Sequence, residues 1–114
     1  MSDAMRVDVV ASRAEQGDGG AGFSVKIQAP ALEINIWASS TEWERLSDMP
    51  QADWLQRRSV RLGESAGASV FWCLDESELT IMVGQDDETW DVAVTVPRDV
   101  LSAIADALIE AGLR

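Results

Sequence analysis

Alternating apolar and polar residues along the first third of the chain predict three β-strands. Every second side chain is apolar, which is the period of a strand with one buried face. A glycine-rich connection at residues 15–22 fits a hairpin loop between the first two strands, and Pro30 separates the second from the third. The three predicted strands are residues 5–13, 23–29 and 32–38.

The alternation then stops, and the sequence predicts a short helix. Thr41 and Glu44 have the spacing of a capping box, in which each side chain satisfies a free backbone N–H at the start of a helix. Trp43 and Leu46 lie three residues apart, so we expect them on one side of the helix and buried. Pro50 is expected to end it.

Four further strands are predicted in the second half of the chain. A short strand at residues 60–62 precedes a glycine-bounded turn at residues 63–67. Residues 70–74 are apolar without alternation, which predicts a central strand covered on both faces. Alternating strands at residues 79–83 and 90–96 follow across short loops. We therefore expect the last three strands to form an antiparallel meander.

The end of the chain carries the clearest helical pattern. Pro97 suits the first turn, Asp99 the positive end of the helix dipole, and Gly112 the C-terminal cap. Six apolar residues form one stripe at the helical period: Val100, Leu101, Ile104, Ala105, Leu108 and Ile109. Burying this stripe against a sheet gives two layers. We predict an α+β fold in one domain, residues 1–114. It has an antiparallel sheet of about six to seven strands, the short mid-chain helix, and the C-terminal amphipathic helix packed on one face.

Composition favours binding over catalysis. The 114 residues include 20 acidic and 9 basic ones, a net charge of -11, which disfavours direct binding of nucleic acid and of anionic membranes. The chain has no histidine, which removes the usual general base and the Ser–His and Cys–His triads. It also lacks a zinc-ligand set and a phosphate-binding glycine loop. We predict a protein that is not an enzyme and uses no metal or cofactor.

The single cysteine and the N-terminal sequence bear on the cellular compartment. Cys73 allows no internal disulfide, and its position within a predicted strand favours a buried, inert thiol. The N-terminus does not have the pattern of a signal peptide, and no apolar run is long enough to cross a bilayer. We expect a cytoplasmic protein.

Acidic residues are concentrated between Gly63 and Pro97, where no lysine or arginine occurs. Their spacing does not fit a calcium loop. They are either solvated hairpin tips or an anionic surface that docks onto a basic cleft. The two acidic turns flank one strand, so we expect them at opposite ends of the sheet. The candidate partner-binding acids are Asp75, Glu76, Glu78, Asp86, Asp87, Glu88 and Asp91.

Five tryptophans are many for this length. Trp43, Trp72 and Trp90 are in phase with apolar neighbours and fit core positions. Trp37 falls on the polar face of its strand, and Trp54 lies in an irregular segment (residues 51–57) where a further helical turn is only weakly indicated. We predict that these two are exposed and contact a partner. A second layer packed on that face of the sheet would instead bury Trp37.

The stretch from Ala68 to Gly112 combines an apolar strand, an acidic turn, the hairpin LTIMVGQDDETWDVAV and a terminal amphipathic helix. In these features, and in size, acidity and tryptophan content, the chain resembles the small immunity proteins encoded beside bacterial polymorphic toxins. The resemblance implies a stoichiometric inhibitor, or antitoxin, that occludes the active site of a cognate toxin. It transfers no functional residue, because these families share none.

Three functional hypotheses follow. The first is a non-enzymatic inhibitor of the immunity type, whose acidic loops and exposed aromatics cover the basic cleft of a toxin that acts on nucleic acid or a nucleotide. The second is a homo-oligomeric structural or accessory domain, a homodimer for example, that self-associates through a sheet edge or the Trp37 face. The third is a nucleic-acid mimic, which the separation of the two acidic turns disfavours.

Overall fold

Seven antiparallel strands form one sheet in chain order, from β1 to β7. The computed structural model describes residues 7–14, 21–30, 32–51, 59–85 and 90–113. Its strands are β1 (Asp8–Arg13), β2 (Gly22–Ala29), β3 (Leu32–Ser39), β4 (Val60–Ser65), β5 (Ala68–Leu74), β6 (Glu78–Gly84) and β7 (Trp90–Pro97). Its helices are α1 (Ser40–Glu44), a 3-10 segment (Arg45–Gln51) and α2 (Val100–Ala111). The predicted α+β fold class is confirmed.

Strands β2 and β3 illustrate how alternating apolar and polar residues give a strand one buried face. They pair along their whole length, from Gly22 opposite Ser39 to Ala29 opposite Leu32. Their apolar side chains share one face and are buried there: Phe23, Val25, Ile27, Ile34, Ile36 and Ala38. Strand β1 pairs with β2, which confirms the predicted hairpin.

The mid-chain helix begins two residues earlier than predicted. Ser39 is the N-cap: its hydroxyl accepts the backbone N–H of Glu42 at 3.2 Å, and the Glu42 carboxylate accepts the N–H of Ser39 at 3.3 Å. The predicted capping box at Thr41 and Glu44 is wrong, because β3 runs directly into the helix and leaves Ser39 extended, as an N-cap requires. Pro50 does not end the helical region either: α1 stops earlier, at Glu44, and a 3-10 segment continues to Gln51. The 3-10 segment includes that proline, whose fixed φ suits such a turn.

Two tryptophans connect the two halves of the core. Trp43 on α1 and Trp72 on β5 meet edge to face, with ring centroids 6.2 Å apart and an interplanar angle of 83°. Trp43 Nε1 donates to the Phe23 carbonyl on β2 at 3.0 Å, and Trp72 Nε1 donates to the Leu62 carbonyl on β4 at 2.9 Å. Both rings can be fully buried because their N–H groups are satisfied. The predicted burial of Trp43, Leu46 and Trp72 is confirmed.

Strands β3 and β4 meet over the shortest pairing in the sheet. Trp37 opposite Glu64 is the one register pair between them in the described residues, whereas the other neighbouring strands pair over four or more positions. Gly63 lies at a bulge of β4 with φ +86°. A Cβ atom there would lie 2.9 Å from both Ile36 Cγ2 and the Trp37 carbonyl oxygen. Glycine is therefore required for this close approach.

The glycines of the predicted 63–67 turn have different roles. Gly63 belongs to β4, and the turn itself is made by Ala66 and Gly67. Both turn residues have positive φ, which suits a two-residue hairpin. The predicted turn was thus too long, because a glycine at a bulge and a glycine in a turn look alike in sequence.

Strand β5 is central in the sheet but is not covered equally on both faces. Val70, Trp72 and Leu74 are buried against the helical layer. Phe71 and Cys73 point to the opposite face and are half-buried. The prediction that both faces are covered is wrong, since no described helix packs on that second face.

Helix α2 packs mainly against β1 and ends at Gly112, as predicted. Pro97 closes β7 rather than opening the helix, and Asp99 occupies the N-cap without a side-chain capping bond. Most of the predicted apolar stripe is buried, but Ile109 is 62% exposed, which corrects the expectation for that residue. None of the helices that the structure describes has the length and apolarity to span a bilayer.

Replacing Gly63 by alanine tests the junction between β3 and β4. The substitution adds left-handed backbone strain and a steric overlap, and we expect it to lower the free energy of unfolding by about 3 kcal/mol or more. Gly67→Ala is the matched control, because Gly67 has nearly the same φ, +84°, but no atom within 4 Å of the added carbon. We expect it to cost about 1 kcal/mol. Urea unfolding measures both, and equal losses would contradict the proposed role of the close approach.

Candidate functional site

The acids of the β5–β6 turn do not all have free carboxylates. Asp75 Oδ1 accepts the backbone N–H groups of Ser77 at 2.9 Å and Glu78 at 2.7 Å. The Asp75 carboxylate therefore organises the turn. The side chains of Glu76 and Glu78 are exposed beside it. Of the three predicted partner-binding residues in this turn, these two are placed to meet another molecule.

Arg98 ties the same turn to the end of β7. Its Nη1 donates to the Asp75 carbonyl at 2.7 Å, and its backbone N–H donates to the Ser77 carbonyl at 3.0 Å. The backbone hydrogen bonds from Ser77 and Glu78 lower the pKa of Asp75; desolvation opposes them, and the positive charge of Arg98 adds a smaller lowering effect. The turn is a well-defined acidic corner.

Cys73 lies next to this corner and is half-buried rather than fully buried. Burial first, and the negative charge of Asp75 second, raise the pKa of the Cys73 thiol. A thiol with a raised pKa is protonated near neutral pH and is a poor nucleophile. The predicted burial of Cys73 is only partial, and its lack of reactivity stays a prediction.

Asp91, the described residue of the second acidic group, is separated from the β5–β6 turn by the length of β6. Asp86, Asp87 and Glu88 lie outside the described residues. Asp91 is exposed at the start of β7 and borders a shallow cleft of about 440 Å³. The rest of the cleft wall is formed by Gly67, Ala68, Ser69, Gly84 and Gln85. Within the described ranges, no three potential ligands converge as a metal site would require.

Trp37 is half-buried, contrary to the prediction that it is exposed. Its Nε1 donates to the Ala14 carbonyl at 2.6 Å, and a side chain on Gly22 would overlap the indole ring. The tryptophan thus packs on its own sheet face without any second layer of described helices. Trp54 and most of the predicted helical turn around it lie outside the described residues, and the side chain of Trp90 is not described.

An apolar cleft of about 130 Å³, which no sequence pattern predicted, opens between the mid-chain helical segments and α2. Its walls are formed by Trp43, Glu44, Leu46, Ser47, Ala105, Leu108, Ile109 and Leu113. Ile109 is the most exposed large apolar side chain in the described part of the chain. Asp106, three residues before Ile109 on α2, lies beside it and is exposed. An apolar centre with a charged rim is the usual anatomy of a protein interface.

One sequence feature could have pointed to this cleft. The predicted stripe on α2 has six apolar positions, and Ile109 lies at one margin of that stripe. The residue at the margin of the stripe, Ile109, was therefore a candidate for contact with something other than the sheet.

Comparisons with known protein families, with curated proteins and with solved structures found no match to this chain. The candidate site is therefore defined by the geometry of the chain itself. It consists of the acidic corner at the β5–β6 turn, the cleft beside Ile109, and Asp91 at the opposite end of β6.

The lowered pKa of Asp75 predicts a specific dependence of stability on pH. The ordinary pKa of this group is 3.8, and the folded state holds it lower. The ionised carboxylate therefore stabilises the folded state above that ordinary value, and this contribution is lost as the pH falls through the lower folded value. We expect Asp75→Asn to unfold more easily than the wild type at neutral pH, and the difference to shrink as the pH drops below about 4.

Thermal unfolding across pH measures this difference. Glu76→Gln is the control, because it removes the same charge from the same turn and leaves the two bonds to Asp75 intact. A gap between wild type and Asp75→Asn that stays constant down to low pH would contradict the role given to the carboxylate.

Proposed function

We propose that this protein is a stoichiometric inhibitor of the immunity type, which binds over the basic active-site cleft of a cognate toxin. The observation that carries the proposal is the charge of its surface. The described ranges hold thirteen acidic and five basic side chains, and twelve of those acids are exposed. An enzyme that acts on nucleic acid or nucleotides needs a positive cleft for phosphate, and such a cleft attracts this surface.

The proposal places the acidic corner and the apolar cleft in one interface. Arg98 contacts the corner and lies two residues before α2, while the C-terminal half of α2 lines the cleft. A helix of 12 residues spans about 18 Å, which is within the width of a standard interface of about 800 Å² per partner. Glu76 and Glu78 are then suited to attract the partner, and Ile109 to anchor it.

Co-expression tests this function. The toxin candidate is the protein encoded by the neighbouring gene, produced from an inducible promoter in a bacterial host. We expect it to stop growth alone and to lose this effect when the present protein is co-expressed, with the two proteins forming a 1:1 complex. A neighbouring product that stays toxic, or that never forms the complex, would contradict the proposal.

Charge reversal tests the acidic corner within that complex. We expect Glu76→Lys with Glu78→Lys to slow association about tenfold at low salt and to flatten its salt dependence. The matched control is Glu33→Lys with Glu64→Lys, which changes the net charge equally but on the open face of the sheet. Stopped-flow association rates measure both pairs. Equal slowing by the two pairs would mean that net charge, and not the corner, steers association.

The second acidic turn needs its own variant. Reversing Asp86, Asp87 and Glu88 to lysine slows association and flattens its salt dependence if that turn also meets the toxin.

Ile109→Ser has a different expected effect: it removes an apolar anchor, so dissociation accelerates while the association rate changes little. An unchanged dissociation rate for Ile109→Ser would remove the cleft from the interface.

A further inference from the structure

Strand β7 forms one edge of the sheet in the part of the chain that the structure describes. It pairs with β6 and with no other described strand. The opposite edge, β1, is covered by α2. On β7, Ala93 and Thr95 are exposed, and Val92 is 39% exposed although it faces the helical side of the sheet.

The hydrogen-bond pattern shows which groups of β7 point outward. The backbone N–H of Arg98 donates to the Ser77 carbonyl at 3.0 Å, in the same register that pairs Glu78 with Pro97. Bonded and non-bonded pairs alternate along an antiparallel ladder. Even-numbered residues of β7 therefore bond to β6, and Ala93 and Thr95 direct their N–H and C=O groups away from the sheet.

This edge carries none of the usual protections against strand pairing over its central part. Edges are commonly blocked by lysine, proline, a bulge or an inward-pointing charge. Residues 92–96 read VAVTV, with no charge and no proline. The register shift lies before them, near Asp91, and Pro97 comes after them. The stretch also has high β-propensity.

We propose that β7 pairs antiparallel with β7 of a second copy of this chain, about a two-fold axis at Val94. In this register Ala93 lies opposite Thr95 of the second copy, so all outward N–H and C=O groups of both residues are used. Val94 faces its own counterpart. Asp91 lies opposite Pro97 of the second copy, so no like charges oppose each other along the strands. A register centred on Thr95 would oppose Ala93 to a proline, which has no N–H.

The uncharged sequence of residues 92–96 favours a second copy as the occupant. The stretch between Asp91 and Pro97 carries no acidic side chain. It therefore has no negative charge to attract a basic toxin, in contrast to the acidic corner. It is self-complementary instead, with valine against valine and alanine against threonine. The paired edges are small compared with a standard interface, so we expect a weak dimer with a Kd on the order of 10–100 µM.

The salt dependence of this dimer has the opposite sign to that of the proposed toxin complex. Two chains of net charge -11 repel each other, and salt screens that repulsion. We expect dimerisation to strengthen between about 50 mM and about 500 mM NaCl, whereas binding to a basic partner weakens over the same range. A failure of one proposal is therefore distinguishable from a failure of the other.

Sedimentation equilibrium of two Thr95 variants tests the edge. Thr95→Pro removes the outward N–H without removing any backbone bond to β6, and we expect it to weaken dimerisation at least about tenfold. Thr95→Ala is the control: it loses the hydroxyl contact with Thr80 at 3.3 Å but keeps the backbone N–H. We expect it to dimerise within about twofold of the wild type, since the ladder bonds are backbone bonds.

Cysteine cross-linking tests the register and does not depend on the proline variant. In a Cys73→Ser background, Val94→Cys is expected to form an intermolecular disulfide under mild oxidation, because non-bonded pairs bring the two Cβ atoms closest. Ala93→Cys is not expected to form this disulfide, because residue 93 faces Thr95 of the second copy.

Three results would overturn the proposal. The first is a monomer at about 1 mM protein in both salts. The second is a folded Thr95→Pro that dimerises like the wild type, and the third is cross-linking at residue 93 instead of 94. A strictly monomeric protein whose Thr95→Pro variant loses toxin binding would assign the edge to a strand of the toxin and would equally overturn it.

Discussion

The close contact between β3 and β4 at Gly63 is the constraint on which the rest of the molecule depends. Glu42 stabilises it with both carboxylate oxygens: Oε1 accepts the N–H of Ser39, and Oε2 accepts the N–H of Gly63 at 3.3 Å. One side chain thus joins the end of β3, the first turn of α1 and the bulge of β4. The next residue, Trp43, is thereby directed into the core against Trp72. The helical segment fixed in this way forms one wall of the apolar cleft.

The fold was largely predictable from the sequence because most of it is encoded locally. Alternation identified the strands, and turn residues identified their connections. The errors have different causes. Gly63 was assigned to a turn because its contact with Ile36 cannot be seen in sequence. Asp75 was identified as an acid without any indication that its carboxylate bonds to its own turn. Ile109 was assigned to the core because periodicity does not report how many positions the sheet covers.

Tryptophan content has a different meaning once the structure is considered. Trp37, Trp43 and Trp72 all donate their indole N–H to backbone carbonyls of neighbouring elements. The rings of Trp43 and Trp72 fill the space between the sheet and the helical layer, whereas the Trp37 ring packs on the open face of the sheet. Their number therefore reflects the packing of this sheet and is weak support for an aromatic interface. The anchor of the proposed interface is aliphatic, at Ile109.

The two proposed surfaces are compatible because they use different ends of the sheet. Helix α2 packs against β1, so the cleft lined by its C-terminal half lies on the β1 side, whereas self-association uses β7. A dimer through β7 would leave both clefts open. The acidic corner is less independent, since Arg98 connects it to the end of β7. Two such corners near one dimer axis would raise the local negative potential, which favours a basic partner and opposes the dimer itself. A bound toxin would neutralise that charge, so toxin binding and dimerisation would reinforce each other.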